Sequence, residues 1–302
     1  MQRFLLRTFL FLLPLLLLAS LAEFTARSLP NSYRLKGTWM SQHAKTVETL
    51  VLGNSHAYYG IRPSMMKGEA FNLANVSQVP AYDLALLLRY APLCPRLRQV
   101  IMVVDNSCLF DPPLEQSEPH RCTYYTLYMG VGPHSRWGRY GMELFQFDGL
   151  CEKLKAFAQG TYTMCDSLGW GTDYTAARST FDVHDTLSVS QRLQQHQCLN
   201  WQWVEANMLA VEKMAHYCQQ QGIRFTVIQT PVCSLYNSGI PYAQREAIRK
   251  LMHRLATQYH AEVLDFSCDP RFSESDFFDA DHLSDLGAAK LTHLLSASQG
   301  NL

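Results

Sequence analysis

The sequence predicts a three-layer α/β/α fold around a mostly parallel sheet. Short apolar runs of strand length alternate with amphipathic helices along most of the chain. The run Gln99-Val-Ile-Met-Val-Val104 is apolar without alternation, as expected of a central strand covered on both faces. Helices placed between strands are the crossovers that parallel neighbours require.

Thr49 to Gly53 reads as the first strand and Ala70 to Ala74 as a short second one. Tyr82 to Tyr90 is helical, with Leu84, Leu87 and Leu88 on one face. After the Gln99 strand, a helix spans Trp201 to Gln221. Its apolar positions Trp201, Val204, Met208, Val211, Ala215 and Cys218 step by three and four, and Gly222 follows as a stop. Arg224 to Gln229 is the fourth strand, Tyr242 to Tyr259 a helix, and Ala261 to Phe266 the fifth strand. A closing helix begins near Ser284 and carries Leu286, Leu291, Leu294 and Leu295. Residues 106–200, rich in Tyr, Gly and aromatic side chains, break this rhythm. They read as a helical insertion over the sheet edge or as a substrate lid or cleft wall.

The N-terminus stands apart. Arg3 and Arg7 precede an apolar run from Thr8 to Ala22, which Glu23 and Arg27 close. A spanning helix takes roughly 20 apolar residues and a signal-peptide core roughly 7–15, and this run lies between them. Ser20-Leu21-Ala22 would serve as a cleavage site, but an uncleaved single anchor is the preferred reading. Residues 1–31 are therefore expected to anchor or target the domain formed by 32–302, with Pro30 to Lys45 as a polar connector. Basic residues ahead of the run stay cytoplasmic, which places the domain on the periplasmic or exterior side of the inner membrane.

Composition narrows the function classes. The 302 residues are 47% hydrophobic and 17% charged, an ordinary globular balance. Lys+Arg and Asp+Glu are 26 each, so no global field favours nucleic acid. The eleven histidines form no His-Glu-x-x-His spacing, and the nine cysteines form no Cys-x-x-Cys pair, so neither a metal nor another cofactor is expected. Export permits disulfides, with Cys108, Cys122, Cys151 and Cys165 falling where loops are expected. Cys218 belongs to a helical stripe and reads as a small core residue.

Two short stretches carry chemistry. Leu50-Val-Leu-Gly-Asn-Ser55-His56 puts a serine where a buried strand turns into a helix, and Phe278-Asp279-Ala280-Asp281-His282 puts a carboxylate three residues before a histidine. Both fall at strand carboxyl ends, where open parallel sheets bind ligands. A serine hydroxyl becomes a nucleophile when an imidazole takes its proton, and a third group must hold that imidazole's tautomer. Ser55, His282 and Asp279 supply those parts, and Asp281 competes with Asp279 for the orienting role. Ser55 could instead only cap the following helix. His56 is expected to point away from its neighbour Ser55.

On these motifs the chain resembles the SGNH/GDSL-like hydrolase superfamily, and within it membrane-anchored members associated with envelope polysaccharides. The resemblance covers roughly residues 45–110 and 200–295 and is specific at the two ends. It implies flavodoxin-like layering, Ser55 as nucleophile, His282 as general base and Asp279 as orienting acid. It also implies an oxyanion hole from the Ser55 N–H, a donor after the second strand and an Asn after the third. Here the second segment reads Phe71-Asn-Leu-Ala-Asn75-Val-Ser77, without the usual glycine, and the third ends Val104-Asp105-Asn106. Asn106 and Asn75 are the candidate donors. The resemblance further implies an esterase or acyltransferase acting on acylated, most often acetylated, envelope carbohydrate, with a membrane-bound acyl-donor protein as partner if the reaction is transfer. The alternative is a non-catalytic carbohydrate-binding or polysaccharide-assembly protein on the same fold.

Overall fold

The computed structural model describes residues 1–132, 141–160 and 165–298, excluding the side chains of Phe147, Asp148 and Ser298. Two stretches of the expected insertion, 133–140 and 161–164, lie outside the described residues. The chain opens with α1 (Gln2–Ser28), α2 (Ser32–His43), β1 (Thr49–Leu52), α3 (Ser55–Gly60), β2 (Ala70–Asn72), α4 (Pro80–Tyr90) and β3 (Gln99–Val103). Residues 106–200 then fold as α5 (Asn106–Phe110), α6 (Leu114–Ser117), α7 (Pro119–Tyr124), a π-turn over Tyr125–Met129, α8 (Phe147–Ala158) and α9 (Thr186–Gln195). The alternation resumes with α10 (Trp201–Gln220), β4 (Arg224–Gln229), α11 (Ser234–Gly239), α12 (Tyr242–Tyr259), β5 (Glu262–Asp265) and α13 (Asp285–Ser298).

The five strands are parallel in the order β2-β1-β3-β4-β5, so the order reverses between β1 and β3. This is the three-layer α/β/α arrangement that the alternation predicts, with the crevice of a flavodoxin-like switch point beside β1. The period-2 pleat divides the core. Leu50, Leu52, Val100, Met102, Phe225 and Val227 face the layer of α2, α4, α10 and α12. Val51, Ile101, Val103 and Ile228 face α3 and α13. Every residue of β1, β2 and β3 is buried, as strands without polar alternation require.

Three helical expectations are corrected. Residues 32–43 are not a polar connector but α2, capped by Asn31, whose side chain accepts the Arg34 N–H at 2.8 Å. Its inner stripe is Tyr33, Lys36, Gly37 and Met40, and the buried lysine in that stripe hides the apolar period. Lys36 Nζ donates to the Ala74 carbonyl and lies over the Tyr58 ring, while burial lowers its pKa to about 8. Gly37 is required, because a Cβ there would lie 2.0 Å from the Tyr128 carbonyl oxygen. In α10, Trp201 is half exposed and Asn207 is buried, since its amide donates to the Leu109 and Asp111 carbonyls. In α13, Leu286 is exposed while Leu291 and Leu295 are buried.

α1 is a continuous 27-residue helix, long and apolar enough to cross a membrane. Its last turns pack on the domain: Glu23, Ala26 and Leu29 are buried. All nine cysteines are free thiols, and Cys218 is fully buried, as its stripe position predicts.

Candidate active site

The turn after β1 is built by Gly53 and Asn54. Gly53 has φ +130°, and a Cβ there would press on Ala57 and Val103 at 3.0 and 3.2 Å. Its N–H donates to the buried Asp83 carboxylate at 2.7 Å. Asn54 caps α3 by accepting the His56 N–H, which leaves Ser55 at the first helical position.

The other half of the site is the loop from Phe277 to Leu283. An isolated antiparallel bridge joins its ends, and the Phe278 N–H donates to the His282 carbonyl at 2.9 Å. Asp279 fills this tight loop. One of its oxygens accepts the backbone N–H groups of Asp281 and His282 at 3.1 and 2.8 Å. Both of its oxygens lie 3.0 Å from His282 Nδ1. His282 Nε2 lies 2.7 Å from Ser55 Oγ. With the Nδ1 proton donated to Asp279, Nε2 has its lone pair facing the hydroxyl.

Residues predicted from the two motifs thus meet across 227 positions of sequence. Asp281 lies farther from the same ring nitrogen, at 3.4 Å, and is fully buried. The two candidate amides make contacts of their own. Asn106 Nδ2 donates to the Tyr236 hydroxyl at 3.3 Å, and its oxygen accepts from Gln244 at 2.7 Å. Asn75 Oδ1 accepts from Ser32 Oγ at 3.1 Å, while its buried Nδ2 has no well-aligned acceptor.

Sequence reasoning missed a buried ionic cluster beneath this chain of contacts. His56 reaches two carboxylates. Its Nδ1 bonds Asp105 and its Nε2 lies 3.2 Å from Asp281. Burial opposes the charge on His56, but Asp105 and Asp281 outweigh it and lift the pKa to about 10. Asp105 is correspondingly held well below the usual carboxylate range. Burial works against that shift, and His56, the Cys108 N–H and Ser107 more than offset it. Asp281 is also held low despite its burial, because His282, His196 and His56 surround it.

The insertion supplies two more cations to Asp281. Arg192 Nε, from α9, donates to it at 2.7 Å, and His196 Nε2 lies 3.3 Å away. His196 also lies 3.5 Å from Asp111, and these two acids lift its pKa to about 9 against the effect of burial. A terminal nitrogen of the Arg192 guanidinium lies 3.1 Å from His282 Nδ1. Asp105, at the end of an all-apolar strand, carried a sequence signal as strong as that of Ser55. Arg192 and His196 carried none.

His56, Asp281 and His282 bring their potential ligand atoms within 4.8 Å of one another. In this fold both ring nitrogens of His56 already face carboxylates, Asp105 and Asp281.

Aromatic rings wall the site. Tyr174 of the insertion stacks between Tyr59 and Phe278, at centroid distances of 3.7 and 3.9 Å, and meets His282 edge-on at 5.2 Å. Tyr59 also borders a cavity of about 290 Å³ lined by Tyr33, Tyr58, Asn75, Arg121 and Tyr124.

No protein-family model matches the chain. No curated protein matches it either. Among solved structures, one similar chain is a "putative arylesterase" from Agrobacterium tumefaciens str. C58, at 11% identity and a TM-score of 0.36, covering 84% of this chain and 99% of that one. At that superposition the likeness adds nothing to what the residues themselves argue.

Proposed function

We propose that this chain is a membrane-anchored serine esterase or O-acyltransferase that acts on acyl groups, acetyl above all, carried by envelope carbohydrate. The observation that carries the reading is the unbroken series from Ser55 Oγ through His282 to Asp279, with contacts of 2.7 and 3.0 Å. Ser55 Oγ would attack the ester carbonyl carbon while His282 Nε2 takes its proton and Asp279 stabilises the imidazolium. The Ser55 N–H, at the head of α3, faces the developing oxyanion. The Asn75 segment supplies the second donor in this reading, since the amide of Asn106 is already engaged. Collapse expels the sugar hydroxyl, protonated by His282, and leaves an acyl-serine. Water or a second hydroxyl, deprotonated by the same imidazole, then releases or receives the acyl group.

The carbohydrate part of the proposal is supported by the tyrosine-lined cavity beside the aromatic wall, because ring faces and side-chain amides suit sugar rings. A membrane-bound acyl donor would serve the transfer variant, with α1 keeping enzyme and donor in one plane and the domain outside the cytoplasm.

A fluorophosphonate probe tests the chemistry. The full chain in detergent should be labelled at Ser55 alone, and Ser55→Ala should lose labelling and acetyl-ester turnover while melting within about 1–2 kcal/mol of the parent. An unlabelled parent that binds polysaccharide equally well with Ser55→Ala would replace the enzyme by a binding protein.

A further inference from the structure

Val189, Arg192, Leu193 and His196 step by three and four along α9 and its C-terminal cap, and so share one side of the helix. Val189 is 1% exposed and belongs to a small apolar cluster with Cys233, Tyr236 and Ala280, which ties α9 to the loop that carries Asp279 and His282. Leu193 packs on Gly239 of α11, where a Cβ would fall 2.3 Å from it. The two apolar residues dock the helix, and the two cations on the same side are carried with them to Asp281.

The Arg192 guanidinium is held at two points. Its Nε donates to Asp281 Oδ1 at 2.7 Å, and its Nη1 to Gln195 Oε1 at 3.0 Å. The remaining nitrogen, Nη2, lies 3.1 Å from His282 Nδ1 and 3.5 Å from His282 Nε2. A donor in the ring plane on the Nδ1 lone pair would be far more distant from Nε2 than from Nδ1. One in the plane between the two nitrogens would overlap Cε1. Two nearly equal distances therefore put Nη2 over the face of the imidazole, which leaves the Nδ1 proton to Asp279. Asp281 Oδ1 also lies 3.4 Å from Nδ1, so a carboxylate balances the charge set against the ring. A guanidinium is planar and weakly hydrated and stacks on aromatic faces, which an ammonium does not.

We propose that Arg192 is a positioning residue for His282, its guanidinium plane holding the imidazole in the orientation that joins Ser55 Oγ to Asp279. The inference rests on the serine-esterase reading above. Arg192 acts through the ring and not on the ester. Proton transfer needs Nε2 within hydrogen-bond reach of the hydroxyl as it attacks, and a displacement on the order of 1 Å costs about 10²-fold in rate. Acylation then depends on the docking of α9, an element of the insertion and not of the α/β core.

Chemical rescue tests this. The Arg192 side chain is 29% exposed and lines a surface cavity of about 400 Å³ together with Arg178, Asp185, Gln195 and Phe278, so truncation opens a path for a small cation. In Arg192→Ala, studied as the full chain in detergent, the maximal rate of fluorophosphonate labelling should fall about 10²-fold. The half-saturating probe concentration should stay unchanged, because only the reacting geometry is lost. Guanidinium at millimolar concentration should restore part of that rate, and methylammonium, of equal charge but not planar, should not. Arg192→Lys keeps a cation for Asp281; it should melt near the parent and label as slowly as Arg192→Ala, and it decides the matter if Arg192→Ala does not fold. Parental labelling by either variant, or equal rescue by methylammonium, would overturn the proposal. Rescue by neither cation would assign the loss to a repacked α9 and overturn it too. A parent that is not labelled removes the esterase reading and this proposal with it.

Discussion

Replacing His56 by Gln removes the cation that two buried carboxylates share. Breaking a buried ion pair costs about 3–5 kcal/mol, because the remaining charge is stranded. The low end applies here, since each acid keeps other partners. Asp105 still accepts from the Ser107 N–H, Ser107 Oγ and the Cys108 N–H at 3.0, 2.8 and 3.0 Å, and Asp281 keeps Arg192 at 2.7 Å. At ~2–4 °C per kcal/mol for a chain of this size, ~3 kcal/mol lowers the apparent melting temperature by about 6–12 °C. The pH dependence carries the sign. The pKa of His56 is raised to about 10 in the fold, against roughly 6.5 in the unfolded chain. Its stabilisation is complete below the lower value and is lost as pH rises through the upper one. The gap between parent and His56→Gln should therefore be widest at pH 6 and narrow towards pH 10. Melting of the full chain in detergent, followed by tryptophan fluorescence at one scan rate, measures it. A variant within about 2 °C of the parent at pH 6 would show that His56 carries no charge the fold depends on.

Two further outcomes follow from neighbouring groups. Burial raises the Asp83 pKa to about 7, against the hydrogen bonds from Gln78 and the Gly53 N–H. The fold thus binds a proton that the unfolded acid, near 3.9, gives up, and stability should fall by at most about 4 kcal/mol as pH rises from 4 to 7. Asp83→Asn should flatten that slope, and melting curves that run parallel to the parent's from pH 5 to 8 would reject the assignment. Asp279→Asn should leave melting nearly unchanged but favour the wrong imidazole tautomer, lowering ester turnover by roughly 10⁴-fold. Asp281→Asn should instead melt early, because Arg192, His196 and His56 converge on that carboxylate. The reverse pattern, measured by turnover and melting together, would exchange the roles of the two acids.

The sequence by itself determined the layers. Strand-length runs without polar alternation can be satisfied only between two helical layers, and the boundaries of β4 and α12 follow from period alone. It also marked Ser55, Asp279 and His282, because a polar residue at the end of an apolar strand, or three positions before a histidine, is a local pattern. What surrounds them is not local. Lys36 hides in an α2 stripe that looks polar until Ala74 and Tyr58 accept its charge. Asp281 looked like a rival to Asp279 in one dimension, and only the fold brings His56 of α3, and Arg192 and His196 of the α9 segment, to it. The contacts of Asn106, which donates to Tyr236 and accepts from Gln244 of α12, likewise leave no local trace. Hydrophobic periodicity records which face a residue turns to the core, whereas charge pairing depends on which distant segments meet there. That meeting was decided by the tertiary structure alone.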